Sequence, residues 1–317
     1  MADRPILLID AYNVFTRHFC ANPTLNRHGE PIGGAVGFLN GLKNIVSEVF
    51  PKSVYVIWEG GGSSKRRKIF PDYKKNKRPQ RLNRFYSEIP NTVNNRNGQV
   101  TFLIDLLKNT PICQVYVSDC EADDVIGYLA KYTFSDDKCV IYSSDKDFYQ
   151  LVSDRVMIFS PTSKKYIQTA DVIERFAIHP QNFCQARTFC GDASDGVPGI
   201  KGIGFKVLAK RFPELSLEEF VSVEDIIKLS KQRTPNSKVQ AYKKIVESAS
   251  VARRNWKLMY LDTMNLTATQ IQKINGVVNT FVPSRNKIAM MRTLSVEGLH
   301  TFDIDSLFLS LNFALRG

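Results

Sequence analysis

Short apolar runs alternate along the chain with longer stretches in which apolar positions recur every three or four residues. Ile6-Leu-Leu-Ile9 is an unbroken apolar run of strand length, as expected for a strand covered on both faces. From Ala35 to Val49, apolar residues stand at Val36, Leu39, Leu42, Val46 and Val49, the spacing of a helix that offers one face to a core. Val54-Tyr-Val-Ile-Trp58 reads as a second strand, Gln99 to Leu107 as a helix and Gln114-Val-Tyr-Val-Ser118 as a third strand. Ala122 to Phe134 predicts a helix with Val125, Ile126, Leu129, Ala130 and Tyr132 inward. Cys139-Val-Ile-Tyr142 is a fourth strand, followed by a further helical stretch. This alternation implies an α/β fold, a mostly parallel central sheet with helices on both faces.

From Asp171 the pattern turns helical, with a glycine-rich hinge at Gly196 to Gly204. The expected division is an α/β domain over 1–170, a helical subdomain over 171–265 and a small helical tail over 266–317. One long polar segment, about 60–98, interrupts the alternation after the second strand.

Charge sharpens that last observation. Lys and Arg number 43 against 31 Asp and Glu, a net +12. Eleven of the basic residues (Lys65, Arg66, Arg67, Lys68, Lys74, Lys75, Lys77, Arg78, Arg81, Arg84 and Arg96) fall within 60–98, opposed there by Asp72 and Glu88 alone. Nine of the twelve net charges therefore sit in one insertion, a patch directed at a polyanion. Apolar residues are 43% of the chain, enough for a core, and no run approaches the roughly 18 apolar residues of a membrane span. The first residues lack a signal-peptide apolar region, so a soluble, cytoplasmic protein is expected. The six cysteines form no CxxC pair and the four histidines are scattered, which leaves oxygen atoms to hold any metal.

The acids are placed for that role. Each expected strand runs into them: Asp10 after the first, Glu59 after the second, Glu121, Asp123 and Asp124 just beyond the third, Asp145 and Asp147 after the fourth. Active sites of open α/β sheets lie at the carboxyl ends of the strands, so these carboxylates should converge on one edge. Asp123 and Asp124 also suit the first turn of a helix for dipole reasons alone, and Asp119 reads as a solvated loop acid. Convergent carboxylates repel one another unless cations intervene. Mg²⁺ or Mn²⁺ prefers such oxygens, and two ions about 3.5–4 Å apart can activate a water and stabilise the leaving oxygen of a phosphodiester.

Three stretches, Cys120-Glu-Ala-Asp-Asp-Val-Ile-Gly127, Ser144-Asp-Lys-Asp-Phe148 and Gly191-Asp-Ala-Ser-Asp-Gly-Val-Pro-Gly-Ile-Lys-Gly-Ile-Gly204, resemble the motifs of the 5′-nuclease, or flap endonuclease, superfamily. The likeness covers residues 1 to about 265. It runs to the 5′–3′ exonuclease domain of bacterial DNA polymerase I and to bacteriophage 5′ nucleases, the ribonuclease H type included. It implies a PIN-like 5′-nuclease fold with a helical arch inserted at about 60–98 and a helix–two-turn–helix element. By the same resemblance Asp10, Glu121, Asp123, Asp145, Asp147, Asp192 and Asp195 are metal ligands, and Asp124 stands near the ions and acts through water. Glu59 departs from the pattern, which has aspartate there; it is a candidate ligand, direct or through a bridging water. Tyr73-Lys74-Lys75-Asn76-Lys77-Arg78 is similar to the arch motif. Tyr73 and Lys74 match directly, and for the second cation Lys77 has the spacing and Arg78 the chemistry.

The glycine hinge is neither a Walker loop, since Phe205 follows Gly204, nor a dinucleotide fingerprint, since no strand precedes it. Its glycines would let the backbone approach a phosphate. The resemblance implies that Gly199, Lys201, Gly202, Gly204, Lys206 and Lys210 hold duplex DNA there, with K⁺ at the carbonyls. The expected activity is metal-dependent 5′–3′ exonuclease or flap endonuclease cleavage, on 5′ flaps, nicked or gapped duplexes or RNA primers paired to DNA. The enzyme is expected to be a monomer, with a polymerase or single-strand-binding protein as partner in trans. A non-catalytic DNA-binding protein and a toxin-like single-strand ribonuclease are the alternatives. The intact aspartate pairs argue against the first, and the arch and hinge against the second.

Overall fold

The computed structural model describes residues 4–62, 64–75, 92–235, 237–300 and 302–314. Its central sheet begins with β1 (Ile6–Asp10), all five residues buried, which runs directly into α1 (Ala11–Ala21). The expected elements did not include α1, although Ala11, Val14, Phe15 and Phe19 carry a helical spacing and are all buried. Then come α2 (Gly33–Val49), β2 (Ser53–Trp58), α3 (Ser64–Ile69), α4 (Thr92–Leu107), β3 (Cys113–Tyr116), α5 (Ala122–Tyr128) and β4 (Cys139–Tyr142). Two further strands, β5 (Val156–Ser160) and the short β6 (Lys165–Ile167), extend the sheet beyond the four expected.

Strand order is β3-β2-β1-β4-β5-β6; all neighbours are parallel except the β5–β6 hairpin. Successive residues of β1 serve opposite faces. Leu7 and Ile9 pack with α1, α2 and α4, whereas Ile6 and Leu8 pack with α5 and β3. The third strand is shorter than expected. Tyr116 pairs with Trp58, the last residue of β2, so Val117 and Ser118 have no ladder to join.

The expected helix from Ala122 to Phe134 changes character midway. After Tyr128 the chain forms a π-helical turn, Leu129–Thr133; the carbonyls of Ala130 within it and of Phe134 at its C-cap accept from the Arg155 guanidinium. The extra residue rotates the helical register. Leu129 and Ala130 stay buried, but Tyr132 is 46% exposed, not inward, and donates its hydroxyl to Asp262.

The helical region comprises α6 (Thr169–Phe176), α7 (Pro180–Cys190), the small hairpin β7 (Gly191–Asp192) and β8 (Val197–Pro198), α8 (Phe205–Arg211), α9 (Val223–Arg233), α10 (Gln240–Glu247) and α11 (Ala249–Met259). It has its own core around Ile203, Leu208, Phe212, Ile226 and Ile245. The last helices, α12 (Ala268–Thr280), α13 (Lys287–Val296) and α14 (Ile304–Ala314), are not a separate appendage. Ile274 of α12 joins the core on one face of the sheet, and Met290, Leu294, Leu307 and Leu311 join the core on the other. Among the described residues no helix is long and apolar enough to cross a membrane.

Candidate active site

The sheet brings the acids together because its strand order reverses at β1. The chain moves outward through β2 and β3, then returns to place β4 on the other side of β1. The crevice at the carboxyl ends of β1 and β4 is the topological switch point. Asp10 and Asp145 stand on its two sides. Hydrogen bonds tie the two rims: Ser143 donates to Asp10 Oδ2 (2.9 Å), the backbone N–H of Asp145 donates to Ser143 Oγ (3.1 Å), and Ser144 donates to Asn13 Oδ1 (2.9 Å). Asp145 also caps the 3-10 turn Lys146–Leu151, accepting from the Asp147 N–H at 2.8 Å, which sets the two aspartates side by side.

Gly60 lets the third strand end reach this rim. A Cβ there would collide with the Val117 carbonyl, and the bare backbone instead bonds to Cys120 and Asp119. Glu59 then accepts from the Ala122 N–H (3.4 Å) at the start of α5. Asp119 stays exposed, as expected of a loop acid, but accepts from the Ser64 N–H and hydroxyl at the head of α3. Asp192 and Asp195 come from the β7–β8 hairpin, whose closure needs glycine at 191 and 199, where any Cβ would strike the opposing backbone. Candidate ligand oxygens of Asp147, Asp192 and Asp195 all lie within 4.8 Å of one another.

Electrostatics splits the cluster in two. In one half, burial and the neighbouring Asp145 and Glu59 push Asp10 up to about 7. Burial, Asp145 and Asp10 push Asp123 well above the usual carboxylate range. In the other half, burial raises Asp147 to about 7 despite the Arg187 guanidinium. Asp192 is also penalised by burial, but Arg187 and the Ser194 donors overcome that and hold it low. Glu121 behaves similarly: burial opposes its charge, yet Arg66 and Lys74 keep it below its ordinary value.

Three cations account for that pattern. Lys74, in a left-handed backbone conformation, donates to Glu121 Oε2 (2.7 Å) and stands 3.5 Å from Asp195. Arg66 grips both oxygens of Asp124 (2.5 and 2.7 Å), lies 3.4 Å from Glu121 and donates to the Leu258 carbonyl of α11 (2.7 Å). Arg187 reaches Asp147 (2.5 Å) and Asp192 (2.6 Å).

Three of these residues are buried with partners of their own. Asp124 forms a buried bidentate pair with Arg66, because α5 directs residues 123 and 124 to different faces. Arg66 itself, counted within the basic patch, is only 1% exposed and faces the interior. Tyr73, expected at the DNA, is largely buried beside the acids. It is 5% exposed, packs against Cys184, Val197, Leu258 and Met259, and donates to Glu121 (3.0 Å) and Asp195 (3.3 Å). Lys77 and Arg78 lie outside the described residues. Arg96, at the other foot of the insertion, sets its guanidinium 5.9 Å from the Tyr12 ring beside the end of β1.

The hinge residues form a separate basic surface. Gly202, Lys206 and Lys210 line a groove of about 400 Å³ together with Arg211 and Lys244, the last supplied by α10. Lys201 is exposed, and its carbonyl accepts from Lys244 (3.3 Å). Gly204 is the extended N-cap of α8, and Gly199 closes the hairpin. A second cleft of about 450 Å³, lined by Phe70, Lys74, Ser194 and Asp195 among others, joins the foot of the insertion to the acidic cluster.

Sequence reasoning did not identify Arg66, Arg187, Ser143, Asn13 or Lys244. Each acts through a partner far along the chain or on another element, and no local pattern marks it. The donor set suits a hard divalent cation. It is all oxygen, three carboxylates are held at raised pKa by burial and by neighbouring acids, and the buried Glu121 Oε1 has no hydrogen-bond partner among the described residues.

Residues 5–177 match the family model described as 5′-3′ exonuclease, N-terminal resolvase-like domain. A 5′-3′ exonuclease of Aquifex aeolicus is 31% identical over 227 residues, 71% of this chain and 73% of that protein. Flap endonuclease Xni of a Shewanella species (strain MR-4) is 28% identical over 288 residues, 86% of this chain and 97% of that one. The fold is shared with the bacteriophage T5 flap endonuclease, solved as a pseudo-enzyme–product complex with DNA and metal ions. The TM-score is 0.70 at 19% identity, covering 86% of this chain and 98% of that one.

Proposed function

This chain belongs to the 5′-3′ exonuclease family, and from that premise we propose that it is a divalent-metal-dependent nuclease cutting phosphodiesters near the 5′ end of structured DNA. The observation that carries the reading is the meeting of carboxylates from four strand ends and one hairpin beside Lys74, with a lysine-lined groove on the following helices. Asp10, Glu121, Asp123 and Asp145 would hold one Mg²⁺ or Mn²⁺ ion, and Asp147, Asp192 and Asp195 a second, with Glu59 reaching the first directly or through water. Ions so held supply an activated water and stabilisation of the leaving oxygen.

The chain's own residues do the rest. Lys74 offsets charge developing on the scissile phosphate, a role Lys77 and Arg78 would share. Tyr73 fixes Glu121 and Asp195 in place through its hydroxyl. Arg66 neutralises Asp124 and steadies Glu121 from behind. Lys206, Lys210 and Lys244 grip duplex phosphates without reading sequence. K⁺ at the hinge carbonyls would share that cradle with Lys244. In this division 1–170 carries the chemistry and 171–265 the duplex. The enzyme would act as a monomer, alongside a polymerase or single-strand-binding protein in trans.

The substrates proposed are 5′ flaps, nicked or gapped duplexes and RNA primers on DNA. A gel assay with labelled versions of each, in Mg²⁺ or Mn²⁺ and in EDTA, tests this. The expected result is cleavage of at least one, leaving 5′-phosphate ends, with EDTA abolishing it. Cleavage that survives EDTA, or a protein inert on all of them, would overturn the reading.

A further inference from the structure

Arg187 has no place in the scheme above, yet it lies at the centre of the second carboxylate group. We propose that Arg187 sets the ion affinity of the Asp147–Asp192–Asp195 half of the cluster, aligning two of its carboxylates while its fixed charge weakens divalent-cation binding between them. The inference rests on the metal reading just given.

The geometry is specific. Arg187 projects from the last turn of α7; its Nη2 donates to Asp192 Oδ2 (2.6 Å), and its Nε lies 2.5 Å from Asp147 Oδ1 as an ion-pair contact outside hydrogen-bonding geometry. All three side chains are nearly enclosed, so the pairs are poorly screened. A guanidinium does not give up its proton, so this charge is present at every working pH. Asp192 is further fixed by Ser194, which donates to its other oxygen from both backbone (2.9 Å) and hydroxyl (2.5 Å). In the half around Asp10, Asp123 and Asp145, the cations in contact, Lys74 (2.7 Å) and Arg66 (3.4 Å), both meet Glu121 at its edge, and among the described residues none forms an ion pair with Asp10, Asp123 or Asp145. A divalent ion entering the Arg187 half must share oxygens with a positive charge already in contact with them. An ion entering the other half meets Asp10 and Asp123, whose oxygens are not in contact with a guanidinium or ammonium among the described residues, with cations at the Glu121 edge alone. The two halves should therefore bind unequally, with Arg187 as the cause. Coulomb repulsion between the charges, even well screened, corresponds to a factor on the order of ten in the dissociation constant.

The test measures Mn²⁺ binding to the full chain without DNA, by electron paramagnetic resonance of free Mn²⁺ and by calorimetry. Wild type should bind a tight ion and a weaker one, and Asp192→Asn should remove the weaker. Arg187→Gln should tighten the weaker site about tenfold, whereas Arg187→Lys, which keeps the charge, should leave it within about twofold of wild type. A weaker site unchanged or loosened in folded Arg187→Gln would overturn the inference while leaving the metal reading intact. Wild type that binds no Mn²⁺ at millimolar concentration would overturn both. Should Arg187→Gln not fold, nuclear magnetic resonance of wild type decides. The Arg187 Nε–H signal, assigned by its loss in Arg187→Lys, should shift over the range of the weaker constant. A signal unmoved at saturation would refute the role.

Discussion

At the scale of single residues, the site is a problem of charge. Asp10 and Asp147 are both raised to about 7 because they are buried among other acids. An acid with a raised folded pKa costs nothing below its ordinary value near 3.8, where it is protonated folded or unfolded. The cost grows as pH rises and is complete above about 7. The metal-free protein should thus lose stability between about pH 4 and 7 from these groups, and a divalent ion should remove the loss. The gap between melting temperatures in Mg²⁺ and in EDTA is expected to widen by about 5 °C or more from about pH 5.5 to about pH 8; a gap independent of pH would refute this. Asp145→Asn should abolish cleavage while leaving DNA binding measurable by gel shift. Lys74→Ala should slow single-turnover cleavage by about a hundredfold or more, with a smaller effect on affinity; a pure affinity loss would make Lys74 a tether.

Between elements, Arg66 is the joint to examine. It connects the foot of the basic insertion to α5 through Asp124, to the strand-end acid Glu121 and to the Leu258 carbonyl of α11. Removing it strands a buried carboxylate, so Arg66→Ala should cost about 3–5 kcal/mol in urea unfolding. Arg66→Lys should recover only part of that, since a lysine cannot engage both oxygens of Asp124. On the other side of the molecule, replacing Lys206, Lys210 and Lys244 by alanine should weaken duplex binding. The salt slope should fall by about one for each phosphate that the variant no longer neutralises. The single-turnover rate at saturating DNA should stay near wild type, because these residues do not touch the acidic cluster. Most elements were legible from periodicity, since a buried strand or a one-faced helix needs little beyond its own residues. Some of what escaped was set by neighbours, as the π turn by Arg155 and the early end of β3 by the end of β2. The edge strand β6 is too short to show a period, whereas α1 and β5 escaped although their own residues carry the signal.

For the whole molecule, the C-terminal helices matter more than their sequence suggested. Leu294, Ile304, Leu307 and Leu311 complete the core on the α2 side of the sheet. At roughly 1.5 kcal/mol or more for each buried side chain, deleting 286–317 should cost about 6 kcal/mol, a large part of ordinary domain stability. The truncated chain is expected to be largely unfolded by circular dichroism at about 37 °C, and a cooperative melt near that of the full chain would contradict the packing. The sequence by itself determined the alternating α/β order, the acids at four strand ends and the concentration of basic charge in one insertion. These follow from local period and composition. The resemblance added Asp192 and Asp195, which no strand-end argument reaches. Tertiary structure alone decided which carboxylates share a cation. Asp123 and Asp124 are neighbours in sequence and differ in fate because a helix turns them about 100° apart, one toward the acids of β1 and β4 and the other into Arg66. Glu59, whose extra methylene set it apart in the sequence, meets the first N–H of α5 at the same rim as Asp10. That placement depends on Gly60 letting two strand ends cross, a meeting of segments far apart in the chain.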